Sequence, residues 1–517
     1  MSELRHKKIL ILDCQTTGMH PSTGHLLQLG WCVMEFALPQ RIAREQWTLK
    51  RDEARIPTKI KKLLRISDTD LAQSVEPARV FQRLQDVLQE LGEEPVVIAH
   101  YAQFEHRFLT QFYLEHGHSS LNFTLLCSQK IAKRLLPHLP SHNLNAVAGH
   151  FQWSSSATNK LDTHLSMTAF VWQKLLPLLL AEKITLFTQL ATWLATKPEP
   201  KSRRLAYNIE RLARLSLPQK PGIYRMLTQD GTVLYIGKAT SLHARVNSYF
   251  RGQKNRDRRI LEMLTQVWSI ETCVCDTPLE AALLESDEIK KWSPPYNVLL
   301  QSDRHALIFY QDDFSEYSER PDSQFRNGPF KIQDALAVLR ELFHALTHHT
   351  VFEYRKERIT SEMLNQAWLV FSAHCRVVHH HVEQPTMRTL IQIGYHLLKH
   401  HERKHGKYSF EQWWREEKKT ACDEALMPEE RCARILTRIL IRAAEARRKS
   451  KMIARLRNAT LMIEPYKKQL FVVHGELSPR NAPRPTQNTG TCAFELAHYD
   501  RLAILYSALI RKQVTLL

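Results

Sequence analysis

Between Lys220 and Leu300 the chain sets out phenols, cations and a carboxylate at spacings that would serve chemistry on a phosphate. Tyr224 lies in PGIYRM, Tyr235 and Lys238 in LYIGKA, and Arg245 and Tyr249 follow shortly behind. Glu285 closes the run ALLE, and Asn297 sits in PPYNVLL. Arg245 offers a planar fork suited to a phosphate. Glu285 follows the apolar run Ala281 to Leu284, so it presents a carboxylate at the edge of a buried face, a metal-ligand position. Elements that must position these groups follow from the pattern. Apolar residues around Tyr224 and Tyr235 flank a turn at Gln229-Asp230-Gly231, and Asp-Gly is a strong hairpin dipeptide, so both tyrosines fall on neighbouring strands. A polar turn after Lys238 then leads into a helix on which Arg245 and Tyr249 share a face. Leu279 to Trp292 reads as a second helix, carrying Glu285.

This set resembles the GIY-YIG nuclease family, and within it the N-terminal nuclease of UvrC-type excinucleases and the shorter Cho-type endonuclease. PGIY, LYIGKA with LxxR behind it, the ALLE glutamate and PPYNVLL stand in order over about eighty residues. Cleaving a phosphodiester needs a deprotonated water, neutralised charge on the phosphorus oxygens and help for the leaving 3′ oxygen. The resemblance implies that Glu285 holds one divalent cation, Mg²⁺ or Mn²⁺ in its place; Mg²⁺ keeps several waters and takes few protein carboxylates. It makes Tyr235 the candidate general base, because the neighbouring Lys238 ammonium favours a phenolate over the ordinary pKa of about 10. Tyr224 and Tyr249 would orient water and phosphate, Arg245 would take the phosphate, and Asn297 would brace the site.

The chain begins with a second recognisable unit. Lys7 to Leu12 reads as a strand, then DCQTTG, then a second strand in HLLQLGWCVMEF. IPTKIKKLLRISDTDL reads as two short helices, VFQRLQDVLQEL as an amphipathic helix, and PVVIAH as a buried strand leading into YAQFEHRFLTQFY. LLCSQKIAKRLLP and SHNLNAVAGHF read as helical, and NKLDTHLSMTAFVWQKLL follows. Alternation of this kind implies an α/β domain. Over roughly residues 6 to 180 it resembles the DEDD (DnaQ-like) 3′ to 5′ exonuclease superfamily, which holds two metal ions with four carboxylates. Asp13, Glu105 and Asp162 match three of the four, with Glu105 where the family has Asp and Tyr101 where Asn is usual. Gln15, a neutral amide, replaces the second carboxylate of the first motif, and Ala157 stands where the general-base His is expected, with Thr158 beside it. A retained fold with impaired hydrolysis, binding a DNA end or a partner, is the expectation. A weak exonuclease with His164 or His150 as base is its alternative.

Composition supplies the frame. A chain of 517 residues suggests three domains. Lys plus Arg number 72 against 53 for Asp plus Glu, a formal +19 that predicts attraction to a polyanion such as DNA. Nine cysteines without a CxxC pair read as free thiols in a reducing cytoplasm. The apolar start Ile9 to Leu12 is strand-length and runs into Asp13, so no signal peptide is expected. The apolar run LLPLLLA is far shorter than the roughly 20 residues of a membrane span.

Lys197 to Arg204, rich in Pro and charge, reads as a linker. Farther on, GPFKIQDALAVLREL reads as a turn and a helix. A histidine-rich helical stretch includes His344, His348, His349, His374, His379, His380, His381, His400 and His401 near Cys375, without a recognisable ligand spacing. Glu429 to Arg457 reads as a long basic helix on which Arg431, Arg434, Arg438 and Arg442 either contact DNA phosphates or form a solvated face. TLMIEPYKKQLFVVHGEL reads as a hairpin.

Together these readings predict an RNase H-like exonuclease fold over 1–185, a linker over 186–206, a small α/β GIY-YIG domain over 207–300, and a helix-rich basic region over 301–517 ending in a β-hairpin. The expected activity is Mg²⁺-dependent, damage- or structure-directed DNA incision in nucleotide excision repair, on the 3′ side of a lesion. Expected partners are DNA and damage-recognition proteins of the UvrA and UvrB type, with no membrane and no nucleotide cofactor. A dual endo- and exonuclease and a non-catalytic DNA-binding scaffold are the alternatives.

Overall fold

The first strand, β1 (Ile9–Thr16), is buried along almost its whole length in the computed structural model, because the sheet that contains it is covered on both faces. The structure describes all residues except 1–2, 36–42, 52–55, 154–159, 198–204, 252–256, 298–305, 333, 355–356, 375–385, 407–409, 421–426 and 479–495. They form two compact units, Met1–Asp276 with Trp292–Val298, and Thr277–Lys291 with Leu299–Leu517.

In the first unit β1 is followed by β2 (Leu26–Met34), β3 (Ala43–Thr48), α1 (Thr58–Leu64), α2 (Asp68–Ala72) and α3 (Pro77–Glu90). Next come β4 (Val96–Ala99), α4 (Ala102–Glu115), β5 (Thr124–Cys127), α5 (Ser128–Leu135), α6 (Leu144–His150), α7 (Leu161–Ala181) and α8 (Phe187–Ala195). The sheet order is β3-β2-β1-β4-β5; β1, β2 and β3 pair antiparallel, whereas β4 and β5 run parallel to β1. Side chains alternate along β1, so Leu10 and Leu12 join Trp31, Phe81 and Phe112 on one face, and Ile9 and Ile11 join Leu165, Trp172 and Leu176 of α7 on the other. Each such apolar side chain contributes about 1.5–3 kcal/mol on full burial. The same alternation puts Asp13 and Gln15 on the α7 face. Gly30 lets α7 approach: a Cβ there would lie 2.9 Å from the side chains of both Leu161 and Leu165.

The unit continues with α9 (Arg211–Leu215), β6 (Gly222–Leu227), β7 (Val233–Ala239), α10 (Leu242–Ser248), α11 (Arg258–Gln266) and β8 (Ser269–Val274). These strands make an antiparallel sheet in the order β7-β6-β8, and the expected Asp-Gly turn joins β6 to β7 with Gly231 at φ +85°. Its core gathers Tyr224, Met226, Leu242, Val246 and Leu264.

The second unit starts with α12 (Pro278–Trp292) and continues with β9 (Leu307–Tyr310), β10 (Tyr317–Ser318), β11 (Asn327–Lys331), α13 (Ala335–His348), β12 (Phe352–Tyr354) and β13 (Glu357–Ile359). Then follow α14 (Ser361–His374), α15 (Met387–His405), α16 (Phe410–Thr420), α17 (Pro428–Leu456), β14 (Ala459–Ile463), β15 (Lys468–Val473), β16 (Glu476–Ser478), α18 (Leu496–Ile510) and β17 (Val514–Leu516). Helix α17 is the spine: Leu436 and Leu440 pack with Leu339, Leu364 and Leu390 of three other helices. A Cβ at Gly394 would lie 2.1 Å from the Leu440 carbonyl oxygen, so α15 crosses α17 nearly backbone to backbone.

Four expectations change. Leu125–Cys127, expected to open a helix, belongs to strand β5, because LLC supplies a buried edge beside β4. Phe187 and Leu190 of α8 pack into the first core, so the start of the expected linker is part of the fold, while 198–204 lies outside the described residues. Gly328 to Lys331 pairs with β9 instead of forming a turn. The region after 301 contains sheets as well as helices, and its hairpin β14-β15 is completed by β17 from the far side of α18. Strands of two to five residues show too few alternations to be read from sequence.

Candidate active site

Tyr224 on β6 lies opposite Gly237 on β7, and Tyr235 lies opposite Met226. The missing side chain at Gly237 makes room for a phenol: a Cβ there would sit 2.4 Å from the Tyr224 hydroxyl and 2.9 Å from the Tyr235 ring. Helix α10 starts at Ser241, whose hydroxyl accepts from the Ala244 N–H, and it ends at Tyr249. Tyr224 Oη and Tyr249 Oη are 2.9 Å apart, and Arg245 Nη2 donates to Tyr249 Oη at 3.1 Å. Ring centroids of Tyr224, Tyr235 and Tyr249 lie 6.1–6.4 Å from one another, and the Arg245 guanidinium stands 5.0 Å from the Tyr249 ring centroid. Burial first, and the neighbouring phenols second, push Tyr224 far above the ordinary phenol range, so it remains a neutral O–H. Tyr235 is half-buried, while Lys238 and Arg245 are exposed.

Asn297 is buried, and its carboxamide brackets Ile236: the Ile236 N–H donates to Oδ1 at 2.9 Å and Nδ2 donates to the Ile236 carbonyl at 2.8 Å. Six of the sequence-predicted residues thus belong to the first unit. Glu285 does not: it is a half-buried residue of α12, and α12 belongs to the second unit. There Leu279 and Leu283 join Leu307, Ile453, Leu461 and Leu502 in one core. Around that core Lys290 pairs with Asp500 at 3.0 Å, Asp287 with Arg501 at 3.0 Å, and Glu280 with Lys468 at 2.6 Å.

A second cluster gathers about Asp13 on β1 of the N-terminal sheet. Asp13, Gln15 and Glu105 are all buried. Burial and the Asp13 charge hold the Glu105 carboxyl well above its usual range, and Glu105 Oε2 is buried without a hydrogen bond among the described residues. His164, on the first turns of α7, places Nδ1 3.4 Å from Asp13 Oδ2; burial lowers its pKa and Asp13 raises it, with a net rise. The signal for this pairing was its place on the helix that faces residues 13 and 15. Asp162 is instead exposed and pairs with Arg44 at 3.2 Å. His150 is half-buried, and burial lowers its pKa. Ala157 and Thr158 lie outside the described residues.

Of the basic helix, Arg438 is corrected. It is 5% exposed, it donates to both carboxylate oxygens of Glu411 and to the Tyr354 hydroxyl, and it is therefore a core ion pair and not a phosphate ligand. Arg442 lies 3.5 Å from the same carboxylate, Arg431 is exposed and Arg434 is half-buried. His401 is packed by Phe410 and Trp413. Cys375 and His379, His380 and His381 lie outside the described residues, and among the described residues no group of three or more His, Cys, Asp or Glu could hold a metal ion. Nor is any described helix long and apolar enough to cross a membrane.

Residues 220–298 match the model of the UvrC-like GIY-YIG domain. UvrABC system protein C of Legionella pneumophila (strain Lens) is 52% identical over 139 residues, which is 25% of this chain and 22% of that protein. UvrABC system protein C of Caldanaerobacter subterraneus subsp. tengcongensis is 45% identical over 138 residues, with the same shares. A solved structure of the GIY-YIG N-terminal endonuclease domain of UvrC from Thermotoga maritima, bound to its catalytic magnesium, is 34% identical, covers 17% of this chain and 94% of its own, and has a TM-score of 0.16. The chain therefore spans about a fifth of the length of the curated relatives it matches.

Proposed function

From a UvrC-like GIY-YIG domain at residues 220–298, we propose that this chain is a divalent-metal-dependent DNA endonuclease of nucleotide excision repair, incising on the 3′ side of a lesion. The observation that carries the proposal is the packing of Tyr224, Tyr235, Tyr249 and Arg245 about Gly237 inside the matched segment. In this assignment the Tyr235 side chain acts as the phenolate, its own proton already lost, and takes the proton of the attacking water. Tyr224, kept protonated by burial, and Tyr249 form a hydrogen-bonded pair that orients the water and the phosphate. Arg245 and Lys238, both exposed, receive the phosphate oxygens, and Asn297 fixes the backbone between Tyr235 and Gly237. Glu285 supplies one hard carboxylate oxygen, a donor that suits Mg²⁺. When bound, the cation neutralises charge on the phosphorus oxygens and supports the leaving 3′ oxygen. Partners on this proposal are DNA and the damage-recognition components of the UvrABC system named in the relatives.

For the N-terminal α/β part, the sheet order β3-β2-β1-β4-β5 with Asp13 buried on its central β1 strand supports an RNase H-like, exonuclease-related fold. Its donor set does not fit two metal ions, since Asp162 turns to Arg44, His164 faces Asp13 and residue 15 is an amide. We assign it no hydrolytic step.

The test is cleavage of end-labelled duplexes carrying one bulky lesion, with Mg²⁺ and the damage-recognition proteins, for wild type, Glu285→Gln and Asp13→Asn. A discrete internal cut lost only in Glu285→Gln is expected. A ladder from the 3′ end lost only in Asp13→Asn would mean a working exonuclease. Binding without cleavage by the wild type would mean a scaffold.

A further inference from the structure

The helix α6 of the N-terminal α/β part packs on α11 of the hairpin part, within one compact unit. A Cβ at Gly149 would lie 2.3 Å from the Gln266 side chain, and the Ser141 N–H donates to Thr265 Oγ1 at 3.1 Å. The centre of this contact is one carboxylate. Asn143 Nδ2 donates to Glu262 Oε2, and Asn145 Nδ2 to Glu262 Oε1 at 3.3 Å. From the other side Tyr296 Oη donates to Glu262 Oε1 at 2.7 Å and accepts from Gln266 Nε2 at 2.6 Å. Arg259 Nη2 donates to the Pro295 carbonyl at 2.8 Å, so α11 grips the 294–297 turn through three side chains.

That turn closes an open edge. Strand β7 is terminal in its sheet, and the Tyr296 N–H donates to the Leu234 carbonyl at 3.2 Å while Asn297 brackets Ile236. A path therefore runs by hydrogen bonds from Asn143 and Asn145 through Glu262 to Tyr296, along the peptide bond to Asn297, and by hydrogen bonds again to the residue between Tyr235 and Gly237. An edge strand left without such partners frays on its open side.

We infer that Glu262 is a positioning residue through which the N-terminal α/β part holds the edge of β7, so that this part sustains turnover at the hairpin even without hydrolytic chemistry of its own. The turnover half of this inference rests on the proposed endonuclease; the holding of β7 does not. Asn145→Asp in the full chain sets a second carboxylate against Glu262 without touching the hairpin. It is expected to lower kcat for the internal cut about tenfold, with KM for DNA nearly unchanged, since small misplacements of reacting groups cost that much. Adding Glu262→Gln restores kcat, because the new amide keeps its oxygen on Asn143 Nδ2 while its Nε2 donates both to the introduced carboxylate and to Tyr296 Oη. Amide hydrogen exchange at Ile236 is followed in the same variants: faster in Asn145→Asp, and restored in the pair. Folded Asn145→Asp with wild-type kcat and exchange overturns the inference, as does a double variant no better than the single one. If the wild type does not cut, the endonuclease proposal fails, and the exchange rates still decide whether Glu262 holds β7.

Discussion

At Gly237 the absence of a side chain decides how the phenols meet, because the Tyr224 hydroxyl occupies the space that a Cβ would take. Burial then keeps Tyr224 protonated. Glu105 shows the same physics in the N-terminal cluster. Its folded-state pKa is raised, by burial and by Asp13, above the unfolded value of about 4.3, so the folded state binds more protons in that interval. Its stabilising contribution is complete below the unfolded pKa and falls away as pH rises through the folded one. Glu105→Gln, with chelator present, is therefore expected to raise the urea midpoint at neutral pH and to flatten its decline above pH ~4.3. Equal midpoints for wild type and variant from acid to neutral pH would refute the buried-carboxylate assignment.

Among the elements, α12 is where chain order and packing part company. Residues on it advance by about 100° each, so Leu279, Glu280, Leu283, Asp287 and Lys290 share one side and Glu285 falls roughly opposite. The C-terminal unit holds that side through a core and three ion pairs. Tilting the helix should therefore disturb the proposed metal carboxylate. Asp287→Arg is expected to raise the Mg²⁺ concentration for half-maximal cleavage about fivefold, and Arg501→Asp in the same chain to return most of it, a shift typical of ~1 kcal/mol partly buried pairs. Cleavage with unchanged Mg²⁺ dependence in Asp287→Arg would show that this ion pair does not hold Glu285.

For the molecule as a whole, a formal charge of +19 does not say which cations face solvent. Arg438, in the most basic helix, spends its charge on Glu411 inside the second unit. Removing one partner of a buried pair leaves the other charge uncompensated, so Arg438→Ala should cost about 3 kcal/mol in chemical denaturation. The slope of DNA affinity against salt should stay as in wild type; a loss of about one unit would make Arg438 a phosphate ligand after all.

Local patterns in the sequence were enough for the hairpin, the face shared by Arg245 and Tyr249, and the strand-helix alternation of the first 180 residues, since turns, helical spacing and buried strands depend on near neighbours. Tertiary structure alone paired His164 with Asp13, turned Asp162 to Arg44, buried Arg438 and joined Asn145 to Tyr296 through Glu262. It also assigned α12 to the C-terminal unit. Each of these joins groups from separate elements, some more than a hundred residues apart. Such pairings follow from which faces pack together, and a face's own periodicity does not name its partner.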